Sequence, residues 1–214
     1  MFKKFGAVLL SVLMLVGCSS ASGSKTDYEE VTKNYIELSM KGKWEKAEEL
    51  AKLDADNPIK WQQTQVKDYS WQLKDIKDKI GEEKYTEFAN KVKDAYSAEK
   101  IVKKYKIESV KEDKDSNIAV VKVSMTMMNY EKIQDKIEEI MSAADDKGYE
   151  LQESYLNEDY SNYDEAEKQG MAEAYNDDVL NQILAIYSDA YAKQEMKVTF
   201  DIEKGKIAYS EVEL

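Results

Sequence analysis

The sequence predicts an α+β fold: N-terminal helices packed on a four-stranded antiparallel sheet, with a helical insertion between strands 2 and 3. Three observations predict it. Apolar residues recur at steps of three and four through the first hundred residues. The period changes to two from Tyr105 to Met128 and again from Met196 to Leu214. Helical spacing returns in the roughly 65 residues between these alternating regions. Four such strands make one sheet with an apolar face, and the amphipathic first helices are the available cover.

Taken in order, the first helix begins near Asp27 or Tyr28, with Tyr28, Val31, Tyr35 and Leu38 on one face. Gly42 interrupts it, and Trp44, Ala47, Leu50 and Ala51 start a second stripe. That stripe ends before Pro58, the single proline, which biases Asn57 away from helix. A third helix carries Val66, Tyr69, Leu73, Ile76 and Ile80 and stops at Gly81. A fourth runs from Glu82 to Ser97, with Tyr85, Phe88, Val92 and Tyr96 in phase. Tyr105 and Ile107 mark a strand, and Glu112 to Asn117 a turn. Ile118 to Met128 is the strongest strand pattern, with Ala119, Val121, Val123, Met125 and Met127 on one face. Its opposite face is half apolar, which predicts a central position. Ile133, Ile137, Ile140 and Met141 restore helical spacing, and after a poorly patterned stretch one further helix is expected from Asp164 to Lys193. Asn162-x-x-Glu165 has the spacing of a capping box for it. Lys204-Gly205 is the tight turn of a final hairpin.

The N-terminus predicts where the protein works. Lys3 and Lys4 precede a twelve-residue apolar run, Phe5 to Val16, interrupted only by Ser11. A helix needs roughly 20 such residues to cross a bilayer, so this run has the length of a secretory signal core instead. It ends in Leu15-Val16-Gly17-Cys18, followed by a Ser/Gly-rich spacer. This stretch resembles the lipobox of bacterial lipoproteins. The resemblance implies cleavage between Gly17 and Cys18 and a diacylglyceryl thioether on Cys18. Two or more acyl chains then anchor the protein in the membrane at its extracytoplasmic face. The expected organisation is residues 1–17 as lipoprotein signal peptide, 18–27 as lipidated Cys and flexible linker, and 28–214 as a single domain, with 129–193 its helical insertion.

Composition excludes much chemistry. There is no His, Cys18 is the sole Cys, and all 31 basic residues are Lys. Nucleophile–imidazole catalysis therefore has no base. Intradomain disulfides and zinc or haem sites of the usual His/Cys type are excluded. Neither common Gly-rich phosphate loop occurs, and no cofactor is expected. The net charge of −12, or −14 once Lys3 and Lys4 are removed, does not favour nucleic acid or anionic lipid as a direct partner of the domain surface.

Val31-Thr32-Lys33-Asn34-Tyr35-Ile36-Glu37-Leu38 followed by Lys41-Gly42-Lys43-Trp44-Glu45-Lys46-Ala47 resembles the opening of NTF2-like and cystatin-like domains. There a first helix ends at a Gly–aromatic corner and a second begins. Gram-positive surface lipoproteins commonly pair such a domain with a lipobox. The resemblance implies helices on a curved antiparallel sheet.

The most distinctive internal stretch is Asp145 to Asp178, with twelve acidic residues, two lysines and five tyrosines. Tyrosines stack and hydrogen-bond, and carboxylates attract cations and basic groups. Tyr149, Tyr155, Asp159, Tyr160, Tyr163 and Asp164 are therefore the candidate contacts for a protein or cell-wall partner. No EF-hand spacing is present: the fifth position after Asp54 is Pro58. The sequence reads as a non-enzymatic, lipid-anchored binding or assembly domain. Two alternatives stay open: an extracytoplasmic enzyme using carboxylates alone on cell-wall glycan, and a calcium- or small-ligand-binding lipoprotein. Trp44, Trp61 and Trp71 are in phase with core residues, and Met125, Met127 and Met128 are expected as core fillers.

Overall fold

The structure is a computed structural model that describes residues 26–70, 72–113, 115–158 and 162–213. Gly17, Cys18, Trp71, Asp159 and Tyr160 lie outside the described residues.

Helix α1 (Tyr28–Met40) starts where the spacing places it. The Asp27 carboxylate accepts the Glu30 N–H at 3.0 Å and caps it. Its buried face includes Thr32 and Ser39, whose hydroxyls donate to the Tyr28 and Tyr35 carbonyls and so satisfy themselves within the helix. Gly42 ends the corner at φ +64°, and a Cβ there would lie 3.1 Å from Ala98 Cβ. The short α2 (Trp44–Glu48) follows.

Helix α3 (Pro58–Ser70) begins a full two turns earlier than its apolar stripe suggests. Asn57 Oδ1 accepts the N–H groups of Ile59 and Lys60, both at 3.1 Å, and Pro58 occupies the first helical position, where no N–H is needed. Asn57 Nδ2 also donates to Ser39 Oγ at 2.7 Å, tying α1 to α3. The expected third helix is not continuous: a 3₁₀ turn (Gln72–Asp75) separates α3 from α4 (Ile76–Ile80). Gly81, at φ +84°, then leads into α5 (Glu82–Ala95) and α6 (Ala98–Ile101).

The sheet has the order β1 (Val102–Asp113), β2 (Ile118–Met128), β3 (Lys193–Glu203), β4 (Lys206–Glu213), all antiparallel. Strand β2 is internal, as its two-faced pattern predicts. Pairs such as Val121–Phe200, Val123–Val198 and Met125–Met196 form the inner face. These six side chains are buried to within 1%, under α1 and α3. The other face alternates into water through residues such as Lys104, Lys106, Lys122, Lys197 and Glu211. Strand β1 is a free edge with four lysines and two register shifts. The start of β4 is covered instead, because Leu50 and Lys52 exchange backbone hydrogen bonds with Ile207. Lys204 and Gly205, at φ 51° and 78°, form the two-residue turn whose twist suits a hairpin.

Four helices connect β2 to β3: α7 (Tyr130–Asn157), α8 (Tyr163–Ala174), α9 (Asp177–Ile186) and α10 (Asp189–Ala192). The stretch that looks poorly patterned after Met141 is the second half of α7. The single helix expected over 164–193 is three. Asn129, Asn162 and Asn176 each turn a side-chain oxygen onto the first N–H groups of the following helix, and Asn176 thereby breaks α8 from α9. At Asn162 the bond is to the Asp164 N–H at 3.1 Å. Helices α7 and α8 form a tight antiparallel hairpin around Gly148 and Gly170. A Cβ on Gly170 would lie 2.6 Å from Gly148 O.

Met125, Met127 and Met128 are core residues as expected. Trp44 packs half-buried on the core, but Trp61 is 46% exposed and meets Tyr130 edge-on, ring centres 5.2 Å apart. The phase of Trp61 is therefore not that of a core residue.

Candidate functional site

The inner face of the sheet is covered by the chain itself. Tyr35 stands edge-on to Phe200 at 5.8 Å, and Ile36, Ile59 and Val66 complete the cover over Met125 and Val198. The Tyr35 hydroxyl is held protonated well above the usual tyrosine range, by burial first and by the nearby Glu48 and Asp56 second.

Grooves open instead among the helices. One of about 500 Å³ lies between α3 and α5, floored by Leu73, Phe88 and Val92 and walled by Tyr85 and Tyr96. Helical phase marks these tyrosines as core; in the fold they are half-buried and line an opening. Burial, and then Tyr85, raise the Tyr96 pKa above its ordinary value. A second groove, about 430 Å³, runs between α7, α8 and α9 over Ile140, Leu151 and Val179, with Glu139, Glu173 and Lys147 at its rim.

The acidic stretch spans α7 to the start of α9 and does not form one tyrosine patch. Tyr149 is 54% exposed on one flank of α7. Tyr155, six residues on, points about 120° away at about 100° per residue. It is half-buried and hydrogen-bonds the Glu173 carboxylate, holding it below the usual range. Tyr163 is 59% exposed at the first position of α8, with Asp164 exposed beside it. Among the described residues, Asp146, Glu153, Glu158, Asp164 and Glu167 have no lysine in ion-pair distance, whereas Glu150, Glu165 and Asp177 do. The hairpin thus presents a largely uncompensated negative surface. Among the described residues no three carboxylates are gathered as a metal site would gather them.

One polar cluster in this region is not visible in the sequence. Tyr175 is fully buried; its hydroxyl donates to Asp145 Oδ1 at 2.8 Å and sits 3.1 Å from Met141 O. Lys79 pairs with Asp145, donates to Tyr175 Oη at 3.2 Å and stands 4.6 Å from the ring centre. Burial first, and the Asp145 carboxylate second, keep the Tyr175 phenol protonated far above its ordinary range. It is therefore no base at physiological pH; the cluster ties α4 to α7 and α8. Lys79 is 66 residues from Asp145 in sequence, and nothing local signals the pairing.

No family model matches this chain, and neither curated proteins nor solved structures gave a match.

Proposed function

We propose that this chain is a lipid-anchored, extracytoplasmic, non-enzymatic domain that binds or assembles with a partner through its helical outer surface. The observation that carries this is the packed inner face of the sheet. With Met125, Val198 and Phe200 sealed under Tyr35 and Ile36, recognition falls to the grooves and faces of the helices. The α7–α8 hairpin, with its acidic surface, exposed Tyr149 and Tyr163, and the adjoining groove over Ile140, Leu151 and Val179, is the proposed contact. Within this proposal the sheet is NTF2-like or cystatin-like, with the helices between β2 and β3 as an insertion.

The anchor is Cys18, in Leu15-Val16-Gly17-Cys18. Among the described residues no helix is long and apolar enough to cross a membrane. Cys18→Ala is expected to release the protein into detergent-free supernatant; unchanged membrane retention would refute the anchor. Photo-crosslinkers at positions 149 and 163 on intact cells are expected to capture a protein or cell-wall adduct. Adducts to lipid alone would refute the binding role.

A further inference from the structure

Thr26, the first described residue, is placed at one end of the sheet. Thr26 lies against the β3–β4 turn, 3.5 Å from where a Cβ on Gly205 would stand. The Lys204 N–H donates to Asn117 O at 3.0 Å, so the β1–β2 and β3–β4 turns sit side by side at this end of the sheet. Among the described residues only two large aliphatic side chains are exposed, Leu53 at 104% and Ile118 at 36%, and both belong to this end. Leu53 is brought there because the preceding Lys52 N–H donates to Ile207 O at 2.8 Å. Ile118 opens β2 opposite Glu203. Tyr209, 53% exposed, shares the open sheet face one pair further along, opposite Asp201. Lys204 and Lys206 flank the turn and are exposed, and Lys52 is ion-paired to Glu203. Asp54, Glu112, Asp113, Asp115 and Asp201 lie among these lysines and outnumber them. Helix α7, which leads into the acidic run, begins beyond the opposite end of β2, about 33 Å away at 3.3 Å per residue.

We infer that the turn end of the sheet is a lipid-contacting foot, in which Leu53, Ile118 and Tyr209 rest on the bilayer that holds the anchor. The inference rests on the lipid anchor at Cys18. Thr26 is eight residues from Cys18, so the foot stays within about 28 Å of the membrane even if the link is fully extended. Three apolar contacts are weak alone. The tether makes the contact intramolecular, and effective concentration then favours it. A tyrosine suits the headgroup level, and lysine ammonium groups reach the phosphates while their stems stay apolar. The net charge disfavours attraction to anionic headgroups, so the tether and the apolar side chains carry the contact.

The test uses the full-length lipidated protein in vesicles of phosphatidylglycerol and phosphatidylethanolamine. With Cys18 acylated, Leu53→Cys and Tyr163→Cys each supply a single thiol for an environment-sensitive dye, at positions exposed enough to leave the fold intact. A blue shift at position 53, with loss of emission to lipid-borne quenchers and neither effect at 163, is expected. Co-flotation with vesicles but equal, water-like emission at both positions would overturn the foot and leave the anchor standing. Loss of co-flotation would overturn the anchor and the foot together.

Discussion

The sheet half and the helical lobe bury their surfaces by different means. Under the sheet the buried residues are large and apolar: Tyr35, Phe200, Ile59, Met125. Between α7 and α8, Met171 apart, they are small or polar: Ala144, Gly148, Gln152, Ala166, Gly170. The first interface gains from apolar area removed from water. The second gains from close backbone approach, and it tolerates a buried amide, Gln152 Nε2, without a partner among the described residues. Stability and surface charge are thus divided: the sheet holds the fold, and the lobe carries the acidic face.

The largest effect tests the sheet. Phe200→Ala removes a fully buried ring from the Tyr35 contact and is expected to cost about 3–5 kcal/mol in urea unfolding. A loss below that of a lobe substitution would reverse the comparison. Next is Gly170→Ala. Its Cβ meets backbone, Gly148 O at 2.6 Å and Gln152 N at 3.0 Å, so the helices must separate, at about 1–3 kcal/mol. Gly148→Ala meets mainly the Met171 side chain, which can swing aside, and should cost less. Equal costs would show that the hairpin is not set by backbone contact.

Tyr175→Phe leaves the ring and removes the hydroxyl from Asp145 and Met141, for an expected loss of about 1 kcal/mol. It also changes the alkaline limb. Tyr35 and Tyr175 are raised above the ordinary phenol value, and Tyr105, half-buried with its hydroxyl on Glu37, is pushed up to about 12 by burial first and Glu37 second. The folded state therefore keeps protons that the unfolded chain releases near pH 10, and stability is full below that pH and falls above it. Denaturation midpoints between pH 8 and pH 11 should show the fall, shallower in Tyr105→Phe; a flat profile would contradict the burial of these phenols. The smallest effect belongs to the exposed lobe surface. Tyr163→Ala should change stability by less than about 0.5 kcal/mol while lowering crosslinking yield on cells.

The same division explains what the sequence shows and what it hides. Strands β2 and β3 follow from alternation because their inward residues, Ala119 apart, are large and apolar, and the Lys204-Gly205 turn follows from turn chemistry. The second half of α7 is silent because Ala144, Gly148 and Gln152 carry no hydrophobic stripe. The breaks at Asn57, Asn162 and Asn176 are set by side-chain caps; Pro58 marks the first and capping-box spacing the second, and nothing in the pattern marks Asn176. Of the proposed contacts, Tyr149, Tyr163 and Asp164 are exposed as a binding surface requires. Tyr155 is turned inward to Glu173, and Asp159 and Tyr160 lie outside the described residues. The Lys79–Asp145–Tyr175 tie needs tertiary geometry and has no local signal.

The free edge of β1 has a consequence for crowding. Under the proposed anchoring, copies would share a plane and meet more often than in solution, and a twelve-residue edge strand is a template for joining sheet to sheet. Lys103, Lys104, Lys106 and Lys111 line that edge, and the shifts at Val102/Lys104 and Ile107/Ser109 kink it. Charged side chains along the edge, and a kinked strand that cannot lie flush against its copy, oppose that joining.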